Sequence, residues 1–302
     1  MRNYDFVGNL KRALIVSLAI MILGLAINVV FGTQMDLTFK GGTMIRYSYE
    51  TAPDVDALKA TAKETLGGEP QISLDDINST KVVSVTLTGT VTTEQQQKFA
   101  EAIEKNYANN KMEPFQSNTL PAAMGAKFFF RCLFALGIAA VLLVVYVAFR
   151  FRNIGGIPAA VSALIALVHD LLIVYFTFVI FRIELNNNFV AVMLTILGYS
   201  LNDTIVIFDR IRTLRKRSEA SLTEVVNSSL HEVLRRTIVT TLTTCIAIAT
   251  VLVVALVMHV DSIVSFALPM LLGAISGSYS SLFLSGPIWV RWMERRAAKG
   301  KK

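Results

Sequence analysis

FVAVMLTILGYSLNDTIVIFDRIR, residues 189–212, is the stretch on which the fold turns. Its first part, Phe189–Phe208, has about the length needed to cross a ~30 Å hydrocarbon core at 1.5 Å of helical rise per residue. Yet Asn202 and Asp203 lie inside it, and Asp209, Arg210 and Arg212 close it. A carboxylate at this depth costs roughly 2.5–3.5 kcal/mol of insertion free energy. An acid retained against that cost needs either a partner or a task.

Working outward, five more apolar runs are long enough to span: 13–31, 128–149, 157–181, 238–258 and 262–290. With 53% hydrophobic and 17% charged residues, the composition is that of a membrane chain. The net charge of +7 hides an asymmetry. Residues 32–125 hold eight Lys/Arg and twelve Asp/Glu, a balance of −4, and the rest holds twenty-one and ten, a balance of +11. The basic excess is a topology signal, and it gives no argument for nucleic acid. Cys132 and Cys245 fall in apolar runs and read as small buried hydrophobes, without a disulfide framework.

The basic residues flank the spans mostly on one side, the short links RIELNNN and HVD on the other holding only Arg182. Lys11 and Arg12 precede the first, Arg150 and Arg152 follow the second, and Arg210, Arg212, Arg215, Lys216 and Arg217 follow the fourth. Arg235 and Arg236 precede the fifth, and six basic residues stand between Arg291 and Lys302. Simple alternation with the positive-inside rule puts both termini in the cytoplasm and residues 32–125 outside. The first run reads as an uncleaved anchor, because its flanks lack a small-x-small cleavage site. The domains expected are 1–31, a cytoplasmic start with the first span; 32–125, an extracytoplasmic α+β domain; and 126–302, a five-helix body with a basic C-terminal tail.

Within 32–125, MIRYSY (44–49) and KVVSVTLT (81–88) have strand composition, and 53–66 and 92–110 read as helices, the first closed by Gly67–Gly68. The result is a small two-layer α+β unit of ferredoxin-like type, with FKGGT (39–43) as a turn or bulge at the sheet edge. The stretch 218–236 has a capping box, Ser221 and Glu224, and apolar residues at helical spacing. It reads as an amphipathic helix on the membrane surface running into the fifth span, with basic ends that suit lipid headgroups.

The intramembrane charges are the candidate site. Asp203 lies ~7.5 Å inside its span, and Arg236, at the start of the fifth, has a side chain long enough to reach it. Burial favours the neutral acid and a nearby guanidinium favours the carboxylate, so a moving Arg236 would switch Asp203 between holding and releasing a proton. The alternative is a static ion pair that locks two helices. Asp170, after His169 in ALVHD (166–170), is a second intramembrane acid at another depth, which suggests a path rather than one site; the alternative is a helix-packing role with a neighbouring hydroxyl. Asn202, Asp209 and His169 are supporting candidates. His169, His231 and His259 cannot assemble into a metal centre, no catalytic nucleophile–base pair is visible, and no cofactor is expected. The small residues of GAISGSYSSLFLSG (273–286) read as close helix packing.

GYSLNDTIVIFDRIR (198–212), ALVHD (166–170), DLTFKGGT (36–43), SSLHEVLRRTIVTTLTT (228–244) and SYSSLF (278–283) resemble, in the same order, motifs of the SecF family of bacterial protein-export membrane proteins. The resemblance covers nearly the whole chain. It implies membership of the resistance-nodulation-division superfamily, a SecD partner whose six spans make a pseudo-twofold pair with these, and association with the SecYEG channel. It further implies that a proton or sodium gradient drives outer-domain movement on preproteins in the bacterial cytoplasmic membrane. The family's essential intramembrane aspartate and arginine fall by motif on Asp203 and Arg236. Lys40, where the family more often has a small residue, and RTLRKR (212–217) depart from the pattern. A small-molecule exporter of the same superfamily normally has twelve spans and two outer domains; a passive assembly scaffold remains the other alternative.

Overall fold

A computed structural model describes residues 4–77, 80–120, 122–258 and 260–299. Contacts divide the chain into two compact units, residues 35–132 and residues 1–34 with 133–302. Six helical segments are long and apolar enough to cross a membrane, so the chain is a multi-pass membrane protein. The segments are α1 (Leu10–Phe31), then, after the smaller unit, α5 (Ala122–Arg150), α6 (Gly156–Ile180), α7 (Asn187–Arg217) and α8 (Leu222–Val257). The sixth is built in two parts, α9 (Asp261–Ser280) and α10 (Gly286–Lys299), joined by a π-helical stretch Ser281–Ser285.

The smaller unit begins with a one-turn helix, α2 (Leu37–Lys40), whose N-terminus is capped by the Asp36 carboxylate. Next come β1 (Gly42–Ser48), α3 (Val55–Leu66), β2 (Gln71–Ile77), β3 (Thr80–Leu87), α4 (Thr93–Asn106) and β4 (Glu113–Leu120). The four strands form one antiparallel sheet in the order β2-β3-β1-β4. Ile45 and Tyr47 of β1, with Val83 and Val85 of β3, pack against Leu58 and Ala62 of α3 and Phe99 and Ile103 of α4. Asp54 caps α3, Gly67 closes it at φ 78°, and Thr92 with Gln95 forms a capping box on α4.

Two expectations change here. FKGGT does not lie at a sheet edge: Gly41 (φ 71°) ends α2, and Gly42 opens β1, which is an inner strand between β3 and β4. The strand β4 is an addition to the sequence reading, because EPFQSNTL is polar and contains a proline. Pro114 is tolerated because β4 is an edge strand and the ladder slips beside it, between Arg46 and Tyr47.

In the larger unit, burial sorts the spans. Within their most apolar stretches, α6, α7 and the last span are 56%, 50% and 44% buried, against 11%, 6% and 6% for α1, α5 and α8. The three buried helices form the body, and Gly273 and Gly277 on α9 let them close up. A side chain on Gly273 would lie within 2.8 Å of Ile196 and Val174, and one on Gly277 would lie 3.1 Å from Ser200 Cβ. Packing thus accounts for Gly273 and Gly277, whereas a side chain on Gly286 would meet only ordinary contacts, the nearest at 3.5 Å.

The stretch 218–236 has the expected capping box at Ser221 and Glu224. It is not a separate surface helix. It forms the first turns of one 36-residue α8, ~54 Å long and therefore longer than the hydrocarbon core. Its apolar face, Val226, Leu230 and Val233, belongs to the same buried cluster as Ile207, Phe208 and Trp289 rather than facing lipid.

Candidate functional site

Asp170 on α6 is fully buried, and three helices supply its partners. Ser276 Oγ donates to Oδ1 (2.6 Å), while Ser280 Oγ (2.7 Å) and Ser200 Oγ (2.6 Å) donate to Oδ2. His169 Nδ1 lies 3.1 Å from Oδ1. Hydrogen bonds to a charged acceptor are worth about 1.5–3 kcal/mol each, so three of them outweigh an insertion cost of roughly 2.5–3.5 kcal/mol. The carboxylate is therefore a junction of α6, α7 and α9. Ser276 and Ser280 stand four residues apart, so one face of α9 presents both hydroxyls.

Ser278, on another side of α9, serves the other acid. Asp203 is buried at 8% exposure, and Ser278 Oγ lies 3.5 Å from its Oδ2 as donor. Ser278 also bonds Thr241 of α8. Asp170 is held at the level of Ser200, three residues and ~4.5 Å of rise before Asp203 on α7. Thr204 and Ser281 share a hydrogen bond (2.9 Å), and Ser281 Oγ donates to the Ser200 carbonyl (3.2 Å). Hydroxyls of α7, α8 and α9 thus occupy the space between and around the two acids.

The remaining candidates are dispersed. Arg236 is exposed on α8 and makes no ion pair with Asp203. Its neighbour Thr237 is buried, so one residue of helical rotation, ~100°, turns Arg236 off the packed face. Arg236 lines a cleft of about 550 Å³ with Arg150, Asp209, Arg210 and Glu232. In this cleft Asp209 pairs with Arg150 (2.9 Å), linking α7 to α5, and with Arg212 (2.7 Å), while Arg210 pairs with Glu232. Asn202 is exposed, ~100° around α7 from the buried Asp203. His169 is buried, its ring 6.0 Å from that of Tyr279, and its Nε2 has no partner among the described residues. His231 lies elsewhere, beside the Tyr4 carbonyl (2.9 Å), and His259 lies outside the described residues. Among the described residues no three His, Cys, Asp or Glu side chains gather as metal ligands would.

Ser200 was not singled out from the sequence, and Ser276, Ser278 and Ser280, read there as close-packing residues, instead donate hydrogen bonds to the two acids. Their one available signal was spacing. Hydroxyls at i and i+4 on a span, in a chain with an intramembrane acid elsewhere, are candidate donors to it.

A family model described as "Protein export membrane protein SecD/SecF, C-terminal" matches residues 99–295. The protein translocase subunit SecF of Alicyclobacillus acidocaldarius is 33% identical, with 99% of this chain and 97% of that protein aligned. The SecF subunit of Petrotoga mobilis is 30% identical over 98% of each. The crystal structure of a Thermus SecDF, titled a translocon-associated membrane protein, superposes with a TM-score of 0.77 at 26% identity, over 96% of this chain and 39% of that one. The chain thus spans about two fifths of that solved SecDF chain. With the fold and the buried acids in place, these likenesses are decisive: the chain belongs to the SecF/SecDF family of protein-export membrane proteins and is homologous to auxiliary translocase subunits of known structure.

Proposed function

We propose that this protein works with a SecD partner beside the SecYEG channel, using a proton or sodium gradient to promote preprotein movement across the bacterial cytoplasmic membrane. The relay is Asp203 with Arg236, and Asp170 is its second acid. Asn202, Asp209 and His169 are supporting candidates: Asp209 ties α7 to α5, and His169 stands beside Asp170. The observation that carries this reading is a pair of buried acids on adjacent helices, Asp170 held by Ser200 three residues before Asp203, with an arginine exposed on the neighbouring α8. Arg236 withdrawn into the cleft and Arg236 paired with Asp203 are the two positions of the cycle, and Asp203 carries a proton in the first. The test is preprotein release from membranes with and without an ion gradient. Asp203→Asn is expected to remove the gradient-dependent part and leave insertion intact; full gradient dependence in that variant would end the relay reading.

The same proposal places both termini in the cytoplasm and residues 32–125 on the outside, as the basic flanks indicate. That domain is of ferredoxin-like type, a reading supported by its βαββαβ order. Residues 1–31 and 126–302 make the membrane part. In a background of Cys132→Ala and Cys245→Ala, a cysteine at Lys105 is expected to react with an impermeant maleimide on intact cells. A cysteine at Glu219 should react only after permeabilisation, and the reverse pattern would invert the topology.

A further inference from the structure

The start of α1 and the end of α10 enclose a cleft of about 990 Å³, well away from the buried acids. Its walls include Leu10, Leu14, Ile288 and Trp292, and its rim carries Lys11, Arg291, Arg295 and Arg296 against one acid, Glu294. Glu294 is already engaged, 3.6 Å from Arg291 and accepting from Thr223 Oγ1 at 2.9 Å. Lys11, Arg295 and Arg296 have no ion-pair partner among the described residues. Three unanswered cations thus face an opening whose walls are apolar.

The apolar wall continues along α1. Lys11, Leu14, Ile15, Leu18 and Ile22 follow helical spacing, so one face of α1 runs from the cationic rim along the helix. Leu14, Ile15, Leu18 and Ile22 are all exposed. The occupant that matches is negatively charged at one end and hydrocarbon along its length. A free phosphate would answer the rim and leave the walls empty, and an apolar chain would leave the cations unanswered. We propose that this cleft binds an anionic phospholipid, with the headgroup phosphate between Lys11, Arg295 and Arg296, an acyl chain along α1, and Trp292 at the interface between them.

The test uses the full-length, delipidated protein in detergent and reads tryptophan fluorescence as phosphatidylglycerol with brominated acyl chains is added. Quenching is expected with this lipid and not with brominated phosphatidylcholine, and Trp292→Phe should abolish it, because Trp289 is buried in the core. Replacing Lys11, Arg295 and Arg296 together by Gln should raise the half-quenching concentration on the order of tenfold or more. Lys216→Gln with Arg217→Gln, exposed and outside the cleft, should leave it unchanged. Four results would overturn the proposal. They are absence of quenching, equal quenching by phosphatidylcholine, equal weakening by the Lys216/Arg217 pair, and displacement by soluble glycerophosphate, which would mark a site for free phosphate alone.

Discussion

Membranes carrying Asp203→Asn together with Arg236→Met are expected to release preprotein no faster with an ion gradient than without one. Each single change should have the same effect, for different reasons. In Asp203→Asn the amide cannot titrate, and Arg236→Met leaves Asp203 without the charge that draws off its proton. The double variant separates a relay from a clamp. A structural ion pair replaced by neutral partners is often tolerated at little or no cost, so a scaffold would recover its function. A relay cannot recover, since no titrating group is left at that position. Asp203 and Arg236 make no ion pair in this structure, so a clamp would have to act through another conformation. Gradient-driven release restored in the double variant would reduce Asp203 to a packing residue.

Substitution of Asp170 is expected to split into two outcomes according to the side chain. Asp170→Ala removes the acceptor of Ser200, Ser276 and Ser280 at once. Ser280 keeps the Gly277 carbonyl (3.1 Å) and Ser276 keeps His169 Nδ1 (3.4 Å), while Ser200 is left stranded at a cost of about 1–3 kcal/mol, so the purified variant should melt below the wild type. Asp170→Asn keeps the shape and one carbonyl acceptor, and the serine hydroxyls can rotate to suit it. That variant should insert and melt close to the wild type, yet lose most of its gradient-dependent release. Melting and release measured on the two variants decide the matter. An Asn variant with normal gradient dependence would make Asp170 a junction of three helices and nothing more.

How much of this was legible in the sequence depended on which quantity carried it. The spans follow from length and composition, so all six were visible, as were the caps at Thr92 and Ser221. The strand β4 was not, because an edge strand with a bulge needs neither alternation nor freedom from proline. At the site, rise along one helix could be read from residue counting, and Asp203 and Asp170 were both found as acids inside apolar runs. Counting along two separate spans, however, set them roughly 12 Å apart in depth, against the ~4.5 Å of rise between Ser200, which holds Asp170, and Asp203. Azimuth around the helix could not be read. Arg236 was within reach by rise alone, but it leaves α8 beside the packed face rather than on it. Asn202, next to Asp203 in sequence, turns off the packed face of α7 for the same reason. The serines were hidden more deeply. In a span, a small residue satisfies close packing whether or not its hydroxyl has work, and Gly273 and Gly277 beside them do nothing else.

The π-helical stretch Ser281–Ser285 puts the two halves of the last span out of phase. Upstream, the helix is indexed to the acids; downstream, it is indexed to Trp289 and Val290, both fully buried in the body. Closing this stretch into a uniform α-helix at unchanged length would swing everything beyond it by ~100°, taking Trp289 off its seat. The wide turn therefore takes up one residue of length between the two seats. The extra residue is also a dislocation that can travel. Were it to step one turn towards the N-terminus, only the residues it crossed would turn, while both ends of the span kept their places. The first residues in its way are Ser280 and Ser278, one facing each acid.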